Sequence, residues 1–235
     1  MLDMGFYDDI MTIAKRLPEK RQNLLFSATM PPKIRKLANK LLKNPESISL
    51  AISKPAEGIT QFAYMCYDSQ KVNLVREILK AKGKELSHVL IFASSIKNVK
   101  EITKTLNKSG MKASEMHSGL NQDKREQTIR DFKNNRIKIL VATDILSRGI
   151  DIKGIEIVIN YEVPHDEEDY IHRIGRTARA HRKGEAITFI NPKQVGNFKN
   201  IEKLIEKEIA KLELPKGFAK GPEYKIQTKH KKNKK

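Results

Sequence analysis

The sequence predicts an α/β fold in which helices flank a parallel β-sheet. Short apolar runs rich in β-branched residues alternate with stretches of helical period through the middle of the chain. The connections between these runs are long enough for the helical crossovers that parallel strands require. Hydrophobic residues make up 39% of the 235 residues, which is enough for a packed core.

Four of the five predicted strands are short, apolar and β-branched, as is typical of strands buried on both faces, and "MKASEMH" is a further short candidate. The five are "HVLIFA" (88–93), "MKASEMH" (111–117), "IKILVAT" (137–143), "IEIVINY" (155–161) and "EAITFI" (185–190). Crossovers between them should be right-handed. Ligands of such sheets bind at the carboxyl ends of the strands, so we expect the functional site there.

The helices between these strands are predicted from apolar residues that recur every three or four positions. Residues 96–110 present Ile96, Val99, Ile102 and Leu106 on one face, and Gly110 marks the end of that helix. Residues 121–134 place Ile129 and Phe132 inward. The stretch 197–212 is predicted as one long helix with Ile201, Leu204, Ile205 and Ile209 on its apolar face.

The first fifty residues have a different organisation. A helix at 5–17, a strand at 22–26 ("QNLLF"), the tripeptide "SAT" and a helix at 31–42 form only about one βα unit, too little for a core of its own. We therefore predict a fragment at 1–50, a linker at 51–60 and a main domain at 61–214. Residues 215–235, which end in a lysine-rich run without acids, are predicted as a disordered basic tail.

The charge balance points to an anionic partner. Lys and Arg number 46 against 28 Asp and Glu, a net charge of +18. Nucleic acid is the commonest partner of so basic a chain, with membrane surfaces and acidic proteins as alternatives. The single cysteine excludes an internal disulfide and a thiolate metal cluster, so no metal site is expected. No long apolar run and no signal peptide is present, so we expect no membrane partner and a cytoplasmic location.

The segment "YIHRIGRTARA" (170–180) spaces Arg173, Arg176 and Arg179 three residues apart. On a helix such residues share one face. A row of guanidinium groups suits a polyanion with several phosphate oxygens, because each is always charged and bonds bidentately. A basic helix end exposed to solvent explains the same pattern equally well.

Polar residues that follow the predicted strands are further candidates. Gln122 and Arg125 lie in the first turn of a helix, on the face that Ile129 and Phe132 continue, and a phosphate backbone fits there. The alternative is a solvent-facing turn. Ser95 precedes a helix, where its hydroxyl either helps to bind a phosphate or simply caps the helix.

The stretch "VATDILSRGIDI" (141–152) ends a strand in Thr143 and Asp144 and continues through Arg148, Gly149 and Asp151. Gly149 permits a close approach of the backbone to a ligand. The aspartates around the arginine indicate either a structural ion pair or a loop whose carboxylate holds a ribose hydroxyl. The residues alone leave both possibilities open.

The order of these motifs separates the alternatives. "SAT", "IFASS", "QDKR", "ATDILSRGIDI" and "HRIGRTAR" follow one another with strand–helix units between them, and together they resemble the DEAD-box RNA helicases of superfamily 2. "MLDMGF" resembles the segment that follows the DEAD tetrapeptide, and "LPKGFAKGPEY" resembles the RhlE-type subgroup. The resemblance implies that 61–214 is the second RecA-like domain, the helicase C-terminal domain, and that 1–50 is a fragment of the first.

The resemblance also implies roles for single residues. Arg176 and Arg179 match the arginine fingers at the γ-phosphate of ATP, and Gly149 and Asp151 match the nucleotide-binding loop, where the carboxylate contacts the ribose. Four positions match contacts to the RNA backbone: Ser95, Gln122, Arg125 and Thr143. Ser27, Thr29 and His172 match positions that couple the two domains. Ala178 departs from the family pattern, which has glycine there.

Half of the family's machinery is missing from the sequence. It contains no "GxxxxGK[ST]" P-loop and no DEAD tetrapeptide. ATP with Mg²⁺, which the resemblance implies as cofactor, would be bound mainly by the missing first domain. We therefore expect part of an ATP-dependent helicase that unwinds or remodels RNA duplexes, inactive alone, whose partners are RNA and a first RecA-like domain. An ATP-independent RNA-binding or annealing module and an interaction fragment for another helicase domain are the alternatives, and contacts to phosphate alone do not distinguish RNA from DNA.

Overall fold

The computed structural model describes residues 6–27, 30, 32–48, 58–83, 88–144, 154–177 and 183–225. The chain divides into two compact units, Met1–Ser53 and Lys54–Lys235. Each unit has its own packing.

The first unit contains two helices, α1 (Tyr7–Arg16) and α2 (Pro32–Leu41). Among its described residues only Leu37 and Ala38 are buried. Hydrogen bonds supply much of the remaining order: the Asn23 amide donates to the Leu41 carbonyl over 2.9 Å, and Lys40 donates to the Tyr7 hydroxyl over 3.0 Å. The unit has too little buried apolar surface to resemble an independent domain.

The strand predicted at 22–26 is wrong, because the described backbone there is irregular. The apolar side chains of this segment face solvent: Leu24 is 69% and Phe26 is 90% exposed. A single run of strand-forming residues does not stay extended without neighbours that pair with its N–H and C=O groups. The described part of this unit provides no such neighbour.

The second unit is built on a sheet of seven parallel strands with helices on both faces. Its elements, in chain order, are β1 (Ile59–Met65), α3 (Asp68–Lys82), β2 (Val89–Phe92), α4 (Ile96–Lys108), β3 (Ala113–Met116), α5 (Gln122–Lys133), β4 (Ile139–Ala142), β5 (Ile157–Asn160), α6 (Glu167–Ile174), β6 (Gly184–Ile190), a short 3₁₀ turn (Pro192–Gln194), α7 (Val195–Leu204) and β7 (Ala210–Leu212). The strand order is β3-β4-β2-β5-β6-β1-β7.

Side chains of each strand alternate between two cores, one on each face of the sheet. Within β2, Val89 and Ile91 pack with α3 and α4, whereas Leu90 and Phe92 pack with α5. At the other end of that second face, α6 and α7 cover β1 and β6.

None of the helices that the structure describes is both long and apolar enough to span a membrane. The predicted α/β fold with a parallel sheet between helices is confirmed.

The prediction did not include strand β1, since its first residues were assigned to the linker. β1 carries Thr60, Gln61 and Tyr64 among its apolar residues, so its pattern lacks the continuous apolar run of the other strands. Gln61 is nevertheless buried, because the Tyr170 hydroxyl donates a hydrogen bond to its side-chain oxygen over 2.8 Å.

The long helix predicted at 197–212 is wrong in its second half. Helix α7 ends at Leu204, Glu206 adopts a positive φ of 52°, and the chain continues into β7, which pairs with β1. The Glu202 carboxylate stabilises this turn by accepting hydrogen bonds from the Ile209 N–H and from Lys211. Tertiary pairing with a sheet edge therefore overrides a strong helical period.

The segment 213–225, here called the C-terminal strap, packs against the sheet although residues from 215 onward were predicted to be a disordered tail. Leu214 and Phe218 contact the core under α3 and α4, and the Tyr224 hydroxyl donates to Glu202 over 2.7 Å. Burial raises the pKa of Glu202, but its bonds from Lys211, the Ile209 N–H and Tyr224 outweigh this, so the pKa lies below the ordinary value of 4.5. Residues 226–235 lie outside the described part.

We predict that Gly221→Ala loosens the C-terminal strap. A Cβ at this position would lie 2.3 Å from the Met65 carbonyl oxygen, so the backbone has to move. Such overpacking costs about 1–3 kcal/mol, which urea unfolding measures as a lower midpoint. Gly196→Ala in α7 is the matched control, because its Cβ meets nothing within 4 Å. Alanine in this helix should raise the free energy of unfolding by up to ~1 kcal/mol. Equal urea midpoints for the two variants would contradict the close packing of the C-terminal strap at Gly221.

Candidate nucleic-acid interface

The candidate site lies along one edge of the sheet, where β3, β4 and β2 end side by side. Hydrogen bonds of the sheet continue past the strands: the Thr143 N–H donates to the Met116 carbonyl over 3.1 Å, and the Ala93 N–H donates to the Ala142 carbonyl over 3.0 Å. The residues that directly follow these strands are therefore held in register, with adjacent backbone segments ~4.8 Å apart. This edge carries Ser95, Thr143 and the start of α5.

Gln122 and Arg125 lie in the first turn of α5, at the end of β3. Gln122 is exposed and donates to the Glu126 side chain over 2.9 Å. The Nε of Arg125 donates to the Leu120 carbonyl over 2.9 Å, which fixes the plane of its guanidinium group. The Asn121 side chain caps the helix by accepting the Lys124 N–H. A helix N-terminus with an oriented arginine is a suitable place for a phosphate.

The turn that leads into α5 is built around His117, which is 2% exposed. Its Nδ1 accepts the Gly119 N–H over 3.2 Å, and its Nε2 lies 3.4 Å from a carboxylate oxygen of Glu115. A Cβ on Gly119 would come within 3.1 Å of the His117 ring. A side chain at position 119 would therefore press on the His117 ring, and the turn leads directly into α5.

Ser95 is the N-cap of α4, and its hydroxyl accepts the Asn98 N–H over 3.1 Å. Capping, the simpler of the two interpretations of this serine, therefore accounts for its position. The neighbouring Ser94 contacts Glu162 at the end of β5: its N–H and its hydroxyl each donate to that carboxylate over 3.0 Å. Asn98 donates to the same carboxylate over 2.6 Å. Glu162 thus ties the end of β2 to the end of β5.

Arg173 makes a bidentate ion pair with Asp144. Its Nε donates to one carboxylate oxygen over 2.7 Å and its Nη2 to the other over 2.6 Å. The arginine side chain is only 8% exposed and the aspartate side chain 34%. Asp144 follows the predicted RNA-contacting Thr143, and Arg173 lies at the end of α6. The pair therefore fixes the arginine-rich segment against the end of β4.

Three further contacts hold the same guanidinium group. Its Nη1 donates to the Asn160 side chain over 3.2 Å and contacts the Glu162 carbonyl at 3.4 Å. The guanidinium carbon lies 5.1 Å from the centre of the Phe92 ring, within the range of a cation–π interaction. Arg173 thus contacts residues from β2, β5 and the end of β4, and its charge is neutralised inside the protein.

The predicted row of three arginines on one helix face is wrong. Helix α6 ends at Ile174, and Gly175 and Arg176 form a turn in which the Arg176 N–H donates to the Arg173 carbonyl. Thr177 closes the turn, because its hydroxyl donates to the Ile155 carbonyl over 2.6 Å. Arg173 is consequently a structural residue, whereas Arg176 is half-buried just beyond the helix.

The remaining predicted site residues are distributed as follows. His172 is exposed on α6, and Ser27 is exposed in the first unit. Four positions lie outside the described residues: Thr29, Gly149, Asp151 and Arg179. The structure thus brings Ser95, Gln122, Arg125 and Thr143 to one sheet edge, and it connects that edge to the turn that contains Arg176.

Three residues of the site were not found from the sequence. Arg173 was taken for a ligand-facing arginine, although its position one turn after the acidic start of α6 is compatible with a buried pair. Glu162 directly follows a predicted strand end, which was the signal available for it. His117 gave no signal, since a buried histidine in a turn has no sequence pattern of its own.

We predict that Asp144→Asn destabilises the second unit strongly, because it leaves the Arg173 charge buried without its counter-ion. Breaking a buried pair costs about 3–5 kcal/mol. The loss in free energy of unfolding should lie near the lower end, about 3 kcal/mol, because Asp144 is one third exposed and water compensates part of the effect. Asp131→Asn is the control: its partner Arg136 is mostly exposed, so the loss should stay below about 1 kcal/mol. Urea unfolding of both variants measures the difference, and equal losses would contradict a buried pair.

Comparisons with known proteins show which family this chain resembles. The model of the helicase conserved C-terminal domain matches residues 70–181. The ATP-dependent RNA helicase CshA of Listeria monocytogenes is 40% identical over 216 residues, which is 92% of this chain and 41% of the relative. The chain therefore spans less than half the length of this relative.

Solved structures agree with the sequence matches. S. cerevisiae Dbp5 bound to RNA and ADP BeF3 superposes with a TM-score of 0.78 at 30% identity, over 88% of this chain and 55% of that one. The C-terminal domain of the DEAD-box protein Dbp5 superposes with a TM-score of 0.60 at 32% identity, over 66% of this chain and 90% of that one. The sheet is thus RecA-like, as predicted, and the chain belongs to the DEAD-box family of superfamily 2 helicases.

Proposed function

We propose that this chain is the RNA-binding and arginine-finger half of an ATP-dependent RNA helicase. The observation that carries the proposal is the Arg173–Asp144 pair, which joins the strand end next to Thr143 to the turn that contains Arg176. An RNA strand along the sheet edge and a nucleotide at the turn would therefore act on one rigid element. Such an element is what coupling of hydrolysis to RNA remodelling requires.

The proposed RNA site is the edge formed by Ser95, Thr143 and the first turn of α5. Gln122 is exposed there and Arg125 has an oriented guanidinium group, so both suit the sugar-phosphate backbone. The net charge of +18 favours any polyanion and accounts for binding without sequence preference. The solved relative Dbp5, which is bound to RNA and ADP BeF3, supports RNA, single-stranded or from a duplex, as the ligand.

The proposed nucleotide residues are Arg176 and Arg179 at the phosphates and Gly149 and Asp151 at the ribose. They complement a nucleotide that another domain holds, since the sequence has no P-loop lysine to bind the phosphates. The described residues contain no group of three side chains that could hold a metal ion. We therefore propose that a first RecA-like domain holds the Mg²⁺ that accompanies ATP. This chain would supply the positive charge of its arginines to the phosphates of the nucleotide.

We propose the following domain organisation. Residues 1–50 are proposed as the end of a first RecA-like domain, in which Ser27 and Thr29 couple nucleotide to RNA, with His172 on the opposite domain. The exposed Leu24 and Phe26 support this, because these apolar residues of a strand-like run face solvent and are not packed in a core. The RhlE-type subgroup stays a prediction from the motif at 214–224, and a cytoplasmic location stays a prediction from the composition.

We predict that the isolated chain binds single-stranded RNA weakly and that two substitutions affect binding differently. Arg125→Ala removes one phosphate contact, so the slope of log affinity against log salt should fall by roughly 0.7. Gln122→Ala removes an uncharged contact, so affinity should fall while the slope stays the same. Fluorescence anisotropy with a labelled uridylate oligonucleotide at several salt concentrations measures both.

Arg130→Ala, on the same helix, is the control for a general loss of charge. Arg130 is exposed, lies beyond the first turn, and contacts the side chains of Gln127 and Glu126. An equal fall in slope for Arg125→Ala and Arg130→Ala would mean that RNA is held by diffuse charge, and the proposed edge would then be wrong.

We predict no ATP hydrolysis by the isolated chain. A fusion to a complete first RecA-like domain should restore hydrolysis that RNA stimulates. In that fusion, Arg176→Ala or Arg179→Ala should lower turnover strongly, since arginine fingers contribute on the order of 10³ to 10⁵ in rate. Lysine at either position should rescue poorly, because a point charge does not reproduce the planar guanidinium group.

Steady-state ATPase assays with and without RNA decide this, with Arg130→Ala again as the control that should keep full turnover. Hydrolysis by the isolated chain, or full turnover in both arginine variants, would contradict the assignment. RNA binding by the chain with no hydrolysis in any fusion would instead favour an ATP-independent RNA-binding module.

A further inference from the structure

A cavity lies at the opposite edge of the sheet, where the parallel strands begin. It is lined by the ends of α3 and α4, by the residues that precede β3 and by the start of β4, and it has a volume of about 820 Å³. We call it the amino-edge cavity. None of the predicted helicase residues that the structure describes lines it.

The walls of the amino-edge cavity are fixed by two helix ends. Gly83 and Gly110 adopt positive φ angles of 89° and 79°, which end α3 and α4. The Met111 N–H donates to the Leu106 carbonyl and the Gly110 N–H to the Asn107 carbonyl, so the end of α4 is closed by its own backbone bonds. The cavity is therefore a preformed feature of the fold.

The floor of the cavity is apolar and its rim is cationic. Leu79 and Ile139 are buried beneath it and Met111 is half-buried. Methionine adapts its shape to different apolar partners. The charged lining residues that the structure describes are four cations and one carboxylate: Arg76, Lys80, Lys112, Lys138 and Glu77.

The charge of this rim is held in place. Glu77 is 2.9 Å from Arg76 on the same helix, so it neutralises that arginine in part. Lys112 and Lys138 are neighbours across the start of β3 and β4, because the Lys138 N–H donates to the Lys112 carbonyl over 3.0 Å. Lys80 and Lys112 then flank the apolar floor, next to Lys138. An apolar group flanked by negative charges complements such a surface.

The amino-edge cavity is separate from the candidate nucleic-acid interface. All strands of the sheet are parallel, so one edge holds every strand start and the other every strand end. The two edges are about 10 Å apart along the four-residue strands β2 and β4, at ~3.3 Å per residue, before loops and side chains are added. A molecule bound in the amino-edge cavity would thus leave the candidate nucleic-acid interface accessible.

We propose that the amino-edge cavity is a docking site for a partner protein, through a segment that places an apolar side chain on the floor between acidic residues. The floor distinguishes this occupant from RNA: the described lining contains no aromatic side chain for base stacking, and phosphates gain nothing from Leu79 or Met111. The volume is within the range of sites that hold a few side chains. The apolar anchor supplies affinity, and the lysines supply a fast, salt-dependent encounter.

The test uses a panel of fluorescein-labelled peptides of about twelve residues, each with Leu, Phe, Met or Trp between runs of Asp and Glu. Two matched panels replace the acids by lysine or the apolar residue by serine. We expect at least one acidic–apolar peptide to bind, and either replacement to weaken it at least tenfold. In ¹⁵N-labelled chain, that peptide should shift the amide signals of Gly83, Gly110 and Met111, and leave Thr143 and Gln122 unmoved.

The variant with Lys80→Glu and Lys112→Glu should lose peptide binding by tenfold or more. The variant with Lys193→Glu and Lys203→Glu changes the net charge equally at exposed positions outside the cavity, and it should bind the peptide like the unaltered chain. Both double variants should affect binding of a uridylate oligonucleotide to the same small extent. This separates the inference from the proposed function, since RNA binding through Gln122 and Arg125 does not depend on it.

Two results would overturn the docking site. One is that no peptide of the acidic–apolar panel binds, or that binding does not change in the Lys80→Glu, Lys112→Glu variant. The other is that this variant loses oligonucleotide binding tenfold more than the control variant, which would make the cavity a nucleic-acid surface. Amide shifts that include Thr143 would also contradict a separate site.

Discussion

The ion pair between Arg173 and Asp144 is the interaction on which the functional edge depends. A guanidinium group that is 8% exposed is stable only with a paired counter-ion and satisfied N–H groups, and Asp144, Asn160 and the Glu162 carbonyl provide them. These partners come from different strands, so the arginine sets the position of α6 against the sheet. The turn with Arg176 and the strand end with Thr143 follow from that position.

Parallel pairing provides the rest of the geometry. Since β3, β4 and β2 end side by side, residues distant in sequence form one row, and caps such as Asn121 and Ser95 fix the helices that start there. The amino edge has the opposite character, because helices α3 and α4 end there beside lysines and an apolar floor. One sheet thus offers two chemically different surfaces, of which we propose the first for phosphates and the second for an acidic, apolar segment.

The sequence was sufficient for the fold class, for the four apolar strands β2, β4, β5 and β6 and for the edge strand β3, because burial on both faces of the central strands requires continuous apolar runs. It failed where tertiary contacts decide. The stretch after Leu204 has a helical period, yet Glu202 and the edge of β1 turn it into β7. "QNLLF" is strand-like but pairs with no strand among the residues that the structure describes. At the site, spacing alone did not distinguish the buried Arg173 from a ligand-facing arginine, since that depends on Asp144, 29 residues away.

The most direct test of the account is a titration of the ¹⁵N-labelled chain with a short uridylate oligonucleotide, followed through its amide signals. The account predicts shifts at Thr143 and in the first turn of α5, at Gln122 and Arg125, together with shifts in the turn at Arg176, because the Arg173–Asp144 pair connects them. Shifts confined to the amino edge, at Gly83 and Gly110, would contradict it. So would shifts at the sheet edge that leave Arg176 unmoved, since the two would then not form one element.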